Sequence, residues 1–502
     1  MPFPQSTSFS RFFLWKWGIC GLLLLATTIN YMDRLTLNLM SKQIMTEFHL
    51  NARNYGQLES AFGVAFALGA ILIGWMADRW NVRHIYAASV LLWSAAGFLT
   101  GLSQGFLSLL MCRFLLGLAE SGNWPCALRT TQRILSPSER TMGNGLLQSG
   151  AAAGAVLTPF VVLLLYSEQN PGSWRYPFLV VASLGVVWVL GWVASIRADD
   201  LALTERSPSS SLVAILGLLL VLYGIDLLVH IAFSDRPWIP LCVKFAVTLS
   251  SIFGVVWWMI QVVRDEAADE RRVFLRRFAV LTVVVTAINM TWHFFRAWLP
   301  LFLQKQHGYS LEECNKFSIY YYIAADVGCL ASGYATLGLV RCGWKVHSSR
   351  MFVFAVCAAL TTLSVEAAVL PAGWPLLAVL LVIAFASLGV FPNYYSFTQD
   401  LSSRHQGKVT GALGCICWLS MSFFHEVIGD MVERTGSYSS GVAIAGLLPL
   451  LALVALTIFW RKSTEPRTEP LLPLQADDVE SPGIHGVSQG VQESVSHRNI
   501  RS

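Results

Sequence analysis

The chain has 502 residues, 55% of them hydrophobic and only 13% charged, with a formal net charge of +5. Its apolar residues come in blocks of about twenty, the length of helix that spans a bilayer, so a soluble globular fold is excluded and an all-α polytopic membrane protein is expected. Backbone groups in lipid must satisfy one another, which makes the spans helices rather than loops or open strands.

In chain order, helices are expected near residues 14–40, 56–77, 84–104, 106–130, 141–166 and 174–197, then 211–233 and 239–263, and finally 276–303, 316–340, 350–370, 375–400, 408–432 and 440–461. These make about fourteen transmembrane helices. The first is span-length and carries internal charges, so it reads as a permanent helix and not as a cleaved signal. Most cysteines lie in or beside apolar segments, with no spacing that repeats as a disulfide or metal framework, and no cofactor is expected. Residues 463–502 are polar and rich in Pro, Ser and Gly; they cannot assemble a core and read as a disordered cytoplasmic tail.

Several spans contain charge. Asp33 and Arg34 lie in the first, Arg113 and Glu120 in the fourth, and Arg296 with His293 in the first span after residue 271. An ionised side chain near the bilayer centre costs about 3 kcal/mol or more, so such groups normally face an internal cavity and serve transport. A rise of about 1.5 Å per residue sets Asp33, Arg34 and Arg113 at matching depth, with Glu120 about two turns away on the face of Arg113. Arg296, His293, His425 and Glu426 come out near the same level. The competing reading is that these charges only lock helices together, as buried ion pairs can. Four or five charges exceed what helix adhesion requires. Asn393, beside Pro392 in an interrupted helix, and Trp298 either line the path or pack.

Assigning connecting segments alternately to two sides puts Arg79, Arg83, Arg129, Arg133, Arg140, Arg271, Arg272, Arg276, Arg277, Arg341, Arg350 and Arg404 together, with few basic residues opposite. The richer side is cytoplasmic by the positive-inside rule, which places both termini inside, in a cell (inner) membrane. The net positive charge thus reports topology, and no nucleic-acid partner is expected.

Between the second and third spans lies a short basic turn with Gly74, Asp78, Arg79, Arg83 and His84. It resembles the signature loop of the major facilitator superfamily, in which the glycine permits close helix contact and the aspartate and arginines form a gating latch. Trp80 departs from that pattern, and Asn81 replaces the usual glycine. The run from Gly333 through Arg341, Gly343 and Lys345 looks like a decayed copy. The resemblance implies two six-helix halves, residues 1–200 and 271–462, with a helix pair and cytoplasmic linker inserted over 201–270. On that pair lie Asp226, His230 and Lys244.

A closer resemblance rests on Asn30, Tyr31, Asp33 and Arg34, on Ser60, Ala61 and Phe62, and on the run from Arg113 through Gly117, Glu120 and Gly122 to Pro125. These are similar to the anion:cation symporters of that superfamily, which include bacterial hexuronate and galactonate transporters; Ala325, Asp326 and Gly328 resemble the hexuronate branch. The resemblance implies that Asp33 and Glu120 bind protons while Arg34 and Arg113 handle a substrate carboxylate, with Tyr31, His293, Arg296 and Asn393 completing the substrate site. Phe66, Ala70 and Ala151 stand where sugar-acid relatives carry polar residues.

The function expected is secondary active, proton-coupled uptake of a small organic anion such as a hexuronate, by a monomer, with sodium left open as the coupling ion. The alternatives are an exporter or antiporter of drugs or metabolites, and a non-transporting membrane sensor. An enzyme is not expected, since after His425 and Glu426 the residue at the second zinc-ligand position is Gly429, and no phosphate loop occurs.

Overall fold

The computed structural model describes residues 6–50, 52–167, 169–197, 199–201, 212–232 and 238–460. The tail from 463, the linker 202–211 and the turn 233–237 lie outside the described residues, as do the side chains of Ser60, His230 and Glu426.

The described chain is all-helical: α1 (Ser6–Glu47), α2 (Ala52–Ala77), α3 (Val82–Gly101), α4 (Phe106–Glu120), α5 (Asn123–Ile134), α6 (Arg140–Leu165), α7 (Arg175–Ser195), α8 (Leu212–Ala232), α9 (Trp238–Val262), α10 (Ala268–Leu301), α11 (Leu311–Arg341), α12 (Val346–Thr361), α13 (Ser364–Ala367), α14 (Trp374–Gly389), α15 (Phe391–Gln399), α16 (Gln406–Thr435) and α17 (Ser439–Phe459). Among the described residues, twelve helical stretches are long and apolar enough to cross a membrane. Two of the expected fourteen fall outside that number. The stretch 106–130 is divided at Ser121 and Gly122 into α4 and α5, and the apolar stretch described in α8, Leu212–Asp226, is shorter than a span.

Local chemistry sets the ends and breaks. The Asn81 side chain accepts the Arg83 N–H at 2.9 Å and caps α3, so the residue replacing the usual glycine starts a helix. Ser310 and Glu313 form a reciprocal capping box on α11. Pro392 enters at the first turn of α15, where its missing N–H leaves no bond unmade, and separates α15 from α14. Gly436, at φ +67°, closes α16 in the left-handed conformation that glycine adopts without steric cost.

Within the bundle α1 packs on α6, α2 on α4 and α3 on α7; α10 packs on α17 and α11 on α14. These groups meet where α2 lies against α16 and α6 against α11 and α15. The α8–α9 pair rests on the same seam, α8 touching α2 and α9 touching α16. At the α2–α16 contact a methyl group on Gly74 would strike the Gly407 carbonyl, and one on Gly411 the Ala70 carbonyl, so only hydrogen fits between the backbones. Ala70 is thus small because α16 passes directly over it.

Candidate functional site: two arginines held by acids

Arg34 projects from α1 into a cage of rings. Its guanidinium carbon lies 5.0 Å from the centroids of both Phe62 and Phe66, 5.3 Å from Tyr31 and 5.9 Å from Trp418. Within this box Nε donates to Oε2 of the fully buried Glu120 at 2.5 Å. Aromatic faces attract a cation and exclude water, so the ion pair is formed in a medium where it is strong.

Arg113 shares the Phe62 ring with Arg34, its guanidinium carbon 5.6 Å from the ring centroid. It does not reach Glu120. Its Nη2 donates at 3.0 Å to Glu59, whose side chain is 42% exposed while that of Arg113 is 3% exposed. Glu59 was not among the sequence-derived candidates. An acid at position 59, one residue before the Ser60–Phe62 motif in a span, was the signal that could have found it.

Asp33 points elsewhere. Adjacent helical residues diverge by about 100°, and Asp33 is buried with Oδ1 2.9 Å from where a β-carbon on Gly97 of α3 would sit. Among the described residues neither carboxylate oxygen has a hydrogen-bond partner. The buried Asn30, one turn earlier, also lacks partners for its amide there.

From the other side of the seam, His293 approaches Trp418 with ring centroids 6.2 Å apart, and Arg296 interacts electrostatically with His293, His425 and Tyr322. The Trp298 indole N–H donates to His425 Nδ1 at 3.2 Å. Asn393 is remote from this group: its amide donates to Ser332 at 2.9 Å and its carbonyl accepts from Thr336 at 3.3 Å, which ties α15 to α11. Tyr31, Arg34, Arg113, Glu120, His293 and Arg296 are therefore brought together; the Asp33 carboxylate lies against α3 yet within electrostatic range of Glu120, Arg113 and Arg34, and Asn393 bonds to α11 instead.

A second cluster lies at the Asp78 end of the bundle. Asp78 Oδ1 accepts from the Gly407 N–H at 2.7 Å and Oδ2 from the Lys408 N–H at 2.9 Å, so it caps α16 across the seam. Its ion-pair partner is Arg129 of α5, at 2.8 Å. Neither Arg79 nor Arg83 contacts it. Arg79 lies over the Trp75 ring, and Arg83 donates to the Ile196 and Val193 carbonyls, capping the end of α7. Burial raises the Asp78 carboxyl above the ordinary carboxylate range, against the opposing pull of Arg129 and the two amide N–H groups. Beside it, buried Arg350 reaches Asp400 and the Pro137 carbonyl, Arg140 meets Asp400 at 3.4 Å, and Asn144 donates to Gln399 at 2.9 Å. Of the charges that order this end, Asp78 was read in the sequence as part of a gating latch, Arg129, Arg140 and Arg350 only as topology markers, and Asp400 not at all.

A model of the Major Facilitator Superfamily matches residues 23–425. The chain is 25% identical over 442 residues to a Cupriavidus necator protein described as "Probable sulfoacetate transporter", covering 88% of this chain and 93% of that one. It is 21% identical over 452 residues to the hexuronate transporter of Escherichia coli K12, covering 89% and 94%. Among solved structures, the human organic anion transporter MFSD10 superposes with a TM-score of 0.63 at 15% identity, covering 88% of this chain and 99% of that one.

Proposed function

Because the chain belongs to the Major Facilitator Superfamily, and is thus a multi-pass membrane transporter and not an enzyme, we propose that it couples proton entry to uptake of a small organic anion such as a hexuronate or another sugar acid. The observation that carries this reading is the Arg34–Glu120 pair in its aromatic cage, beside Arg113. A guanidinium clasped by a carboxylate is a poor anion site. Protonating Glu120 removes the competing charge and releases Arg34 to bind a substrate carboxylate by parallel N–H donors. Asp33, buried beside Gly97 with no hydrogen-bond partner among the described residues, is the second proton carrier in this scheme. Binding of proton and anion then favour each other by one reciprocal coupling free energy. Each net positive charge carried inward down 100 mV contributes about 2.3 kcal/mol to accumulation.

The carrier is built, on this reading, as two six-helix halves, 1–200 and 271–462, with α8 and α9 as an inserted pair that brings the spans to fourteen. The matching of α2 on α4 with α11 on α14 supports the repeat. Both termini are cytoplasmic in an inner membrane, so the Asp78 cluster is the inner gate and the site is loaded from outside. Substrate contacts come from Arg34, Arg113, Tyr31, His293 and Arg296. Gly74 gives α2 and α16 their close contact at the gate.

The test is uptake of labelled D-glucuronate and D-galactonate into proteoliposomes under an inward proton gradient. Wild type accumulates at least one of them. Glu120→Gln and Asp33→Asn abolish accumulation but retain exchange across equal concentrations. Proton-driven accumulation that persists in both variants overturns the assignment.

A further inference from the structure

The two arginines of the site are neutralised in different ways. Glu120 is fully buried against Arg34, so it cannot leave and loses its charge only by taking a proton. Glu59 holds the more deeply enclosed Arg113 from the rim of the site, with 42% of its side chain in contact with solvent. A half-exposed carboxylate rotates into water at little desolvation cost, whereas the guanidinium it leaves behind must find another anion. Glu59 also stands near the start of α2, about 28 Å along that helix from Asp78 and so far from the gate proposed there.

We infer that Glu59 is a tethered occupant of the substrate's anion position at Arg113, and that it sets how much negative charge a substrate can carry. This rests on the anion site proposed above. A monoanion replaces the Glu59 carboxylate one for one. A dianion brings a further negative charge beside a carboxylate that has been displaced but remains attached to α2 within a few ångströms, and like charges at that range repel. The site therefore disfavours dianions, and it does so through a residue that itself holds the arginine.

The experiment compares binding of D-glucuronate, with one carboxylate, and D-glucarate, with two on a six-carbon chain, to the purified full-length protein by isothermal titration at low salt. Wild type is expected to prefer D-glucuronate. Glu59→Gln is expected to tighten D-glucarate about three- to tenfold more than it tightens D-glucuronate, and Glu59→Asp, which keeps the charge, to leave the ratio near the wild-type value. An unchanged ratio in Glu59→Gln, or an equal shift in Glu59→Asp, overturns the inference while leaving the anion site standing. Binding that appears only in Glu59→Gln supports it in its strongest form. If neither compound binds any of the three proteins, the anion site itself is rejected, and this role for Glu59 with it.

Discussion

Arg34 meets four rings and one acid, and the chemistry of that enclosure depends on the guanidinium being flat. Lysine carries the same charge but neither stacks as a plane nor presents paired donors. Arg34→Lys is therefore expected to weaken carboxylate binding at least about tenfold, read by the same titration, while the protein still folds. At the rim, Arg175 donates to both carboxylate oxygens of Glu47, at 2.7 and 3.0 Å, and holds its carboxyl below the ordinary range. A carboxyl with a depressed folded-state pKa stabilises the fold above its unfolded pKa and loses that contribution as pH falls through the folded one. The melting-temperature gap between wild type and Glu47→Gln is expected to be present near neutrality and to close below about pH 4. What the sequence hid at this scale is direction. Asp33 and Arg34 are neighbours in the chain, and their shared depth was legible from helical rise, but their azimuths depend on which helix lies on each side. Gly97 receives one and the aromatic cage the other.

Among elements, α2 is the one on which both clusters depend, since it carries Glu59, Phe62 and Phe66 toward one end and Gly74, followed by Asp78, at the other. Its path along α16 is set by residues without bulk. Gly411→Ala puts a methyl on the Ala70 carbonyl; overpacking of this kind costs about 1–3 kcal/mol, and the variant is expected to melt several degrees lower than wild type. The loop after α2 was legible as a motif because its residues are contiguous. Its partners were not, because Asp78 caps a helix that begins 328 residues later, and no periodicity links Gly74 to Gly407. The break between α4 and α5 did have a signal, since Glu120, Ser121, Gly122 and Asn123 interrupt the apolar run just before Pro125, and the single span expected over 106–130 passed over it.

For the molecule as a whole, helical composition and the approximate span positions were legible because the bilayer imposes one length on every apolar run. Which contacts cross the seam at the Asp78 end was not, because they are made by side chains that the sequence scatters over Arg129, Arg140, Arg350, Asp78 and Asp400. Removing the Asp78 charge by Asp78→Asn takes away the acid that caps α16 and pairs with Arg129. A cysteine placed at Thr131, which is fully buried where its hydroxyl accepts from Gln399 across the seam, is expected to react several-fold faster with a membrane-impermeant thiol reagent in that variant than in one retaining Asp78, measured in inside-out vesicles. The seam itself has a mechanical character that follows from its glycines. Where two main chains touch through hydrogen atoms, they attract by dispersion and weak Cα–H···O contacts, and a gap of about an ångström already forfeits up to about half of the dispersion. Such a joint has a short elastic range. Beyond that range it is released, so α2 and α16 behave more as a snap fastener than as a spring.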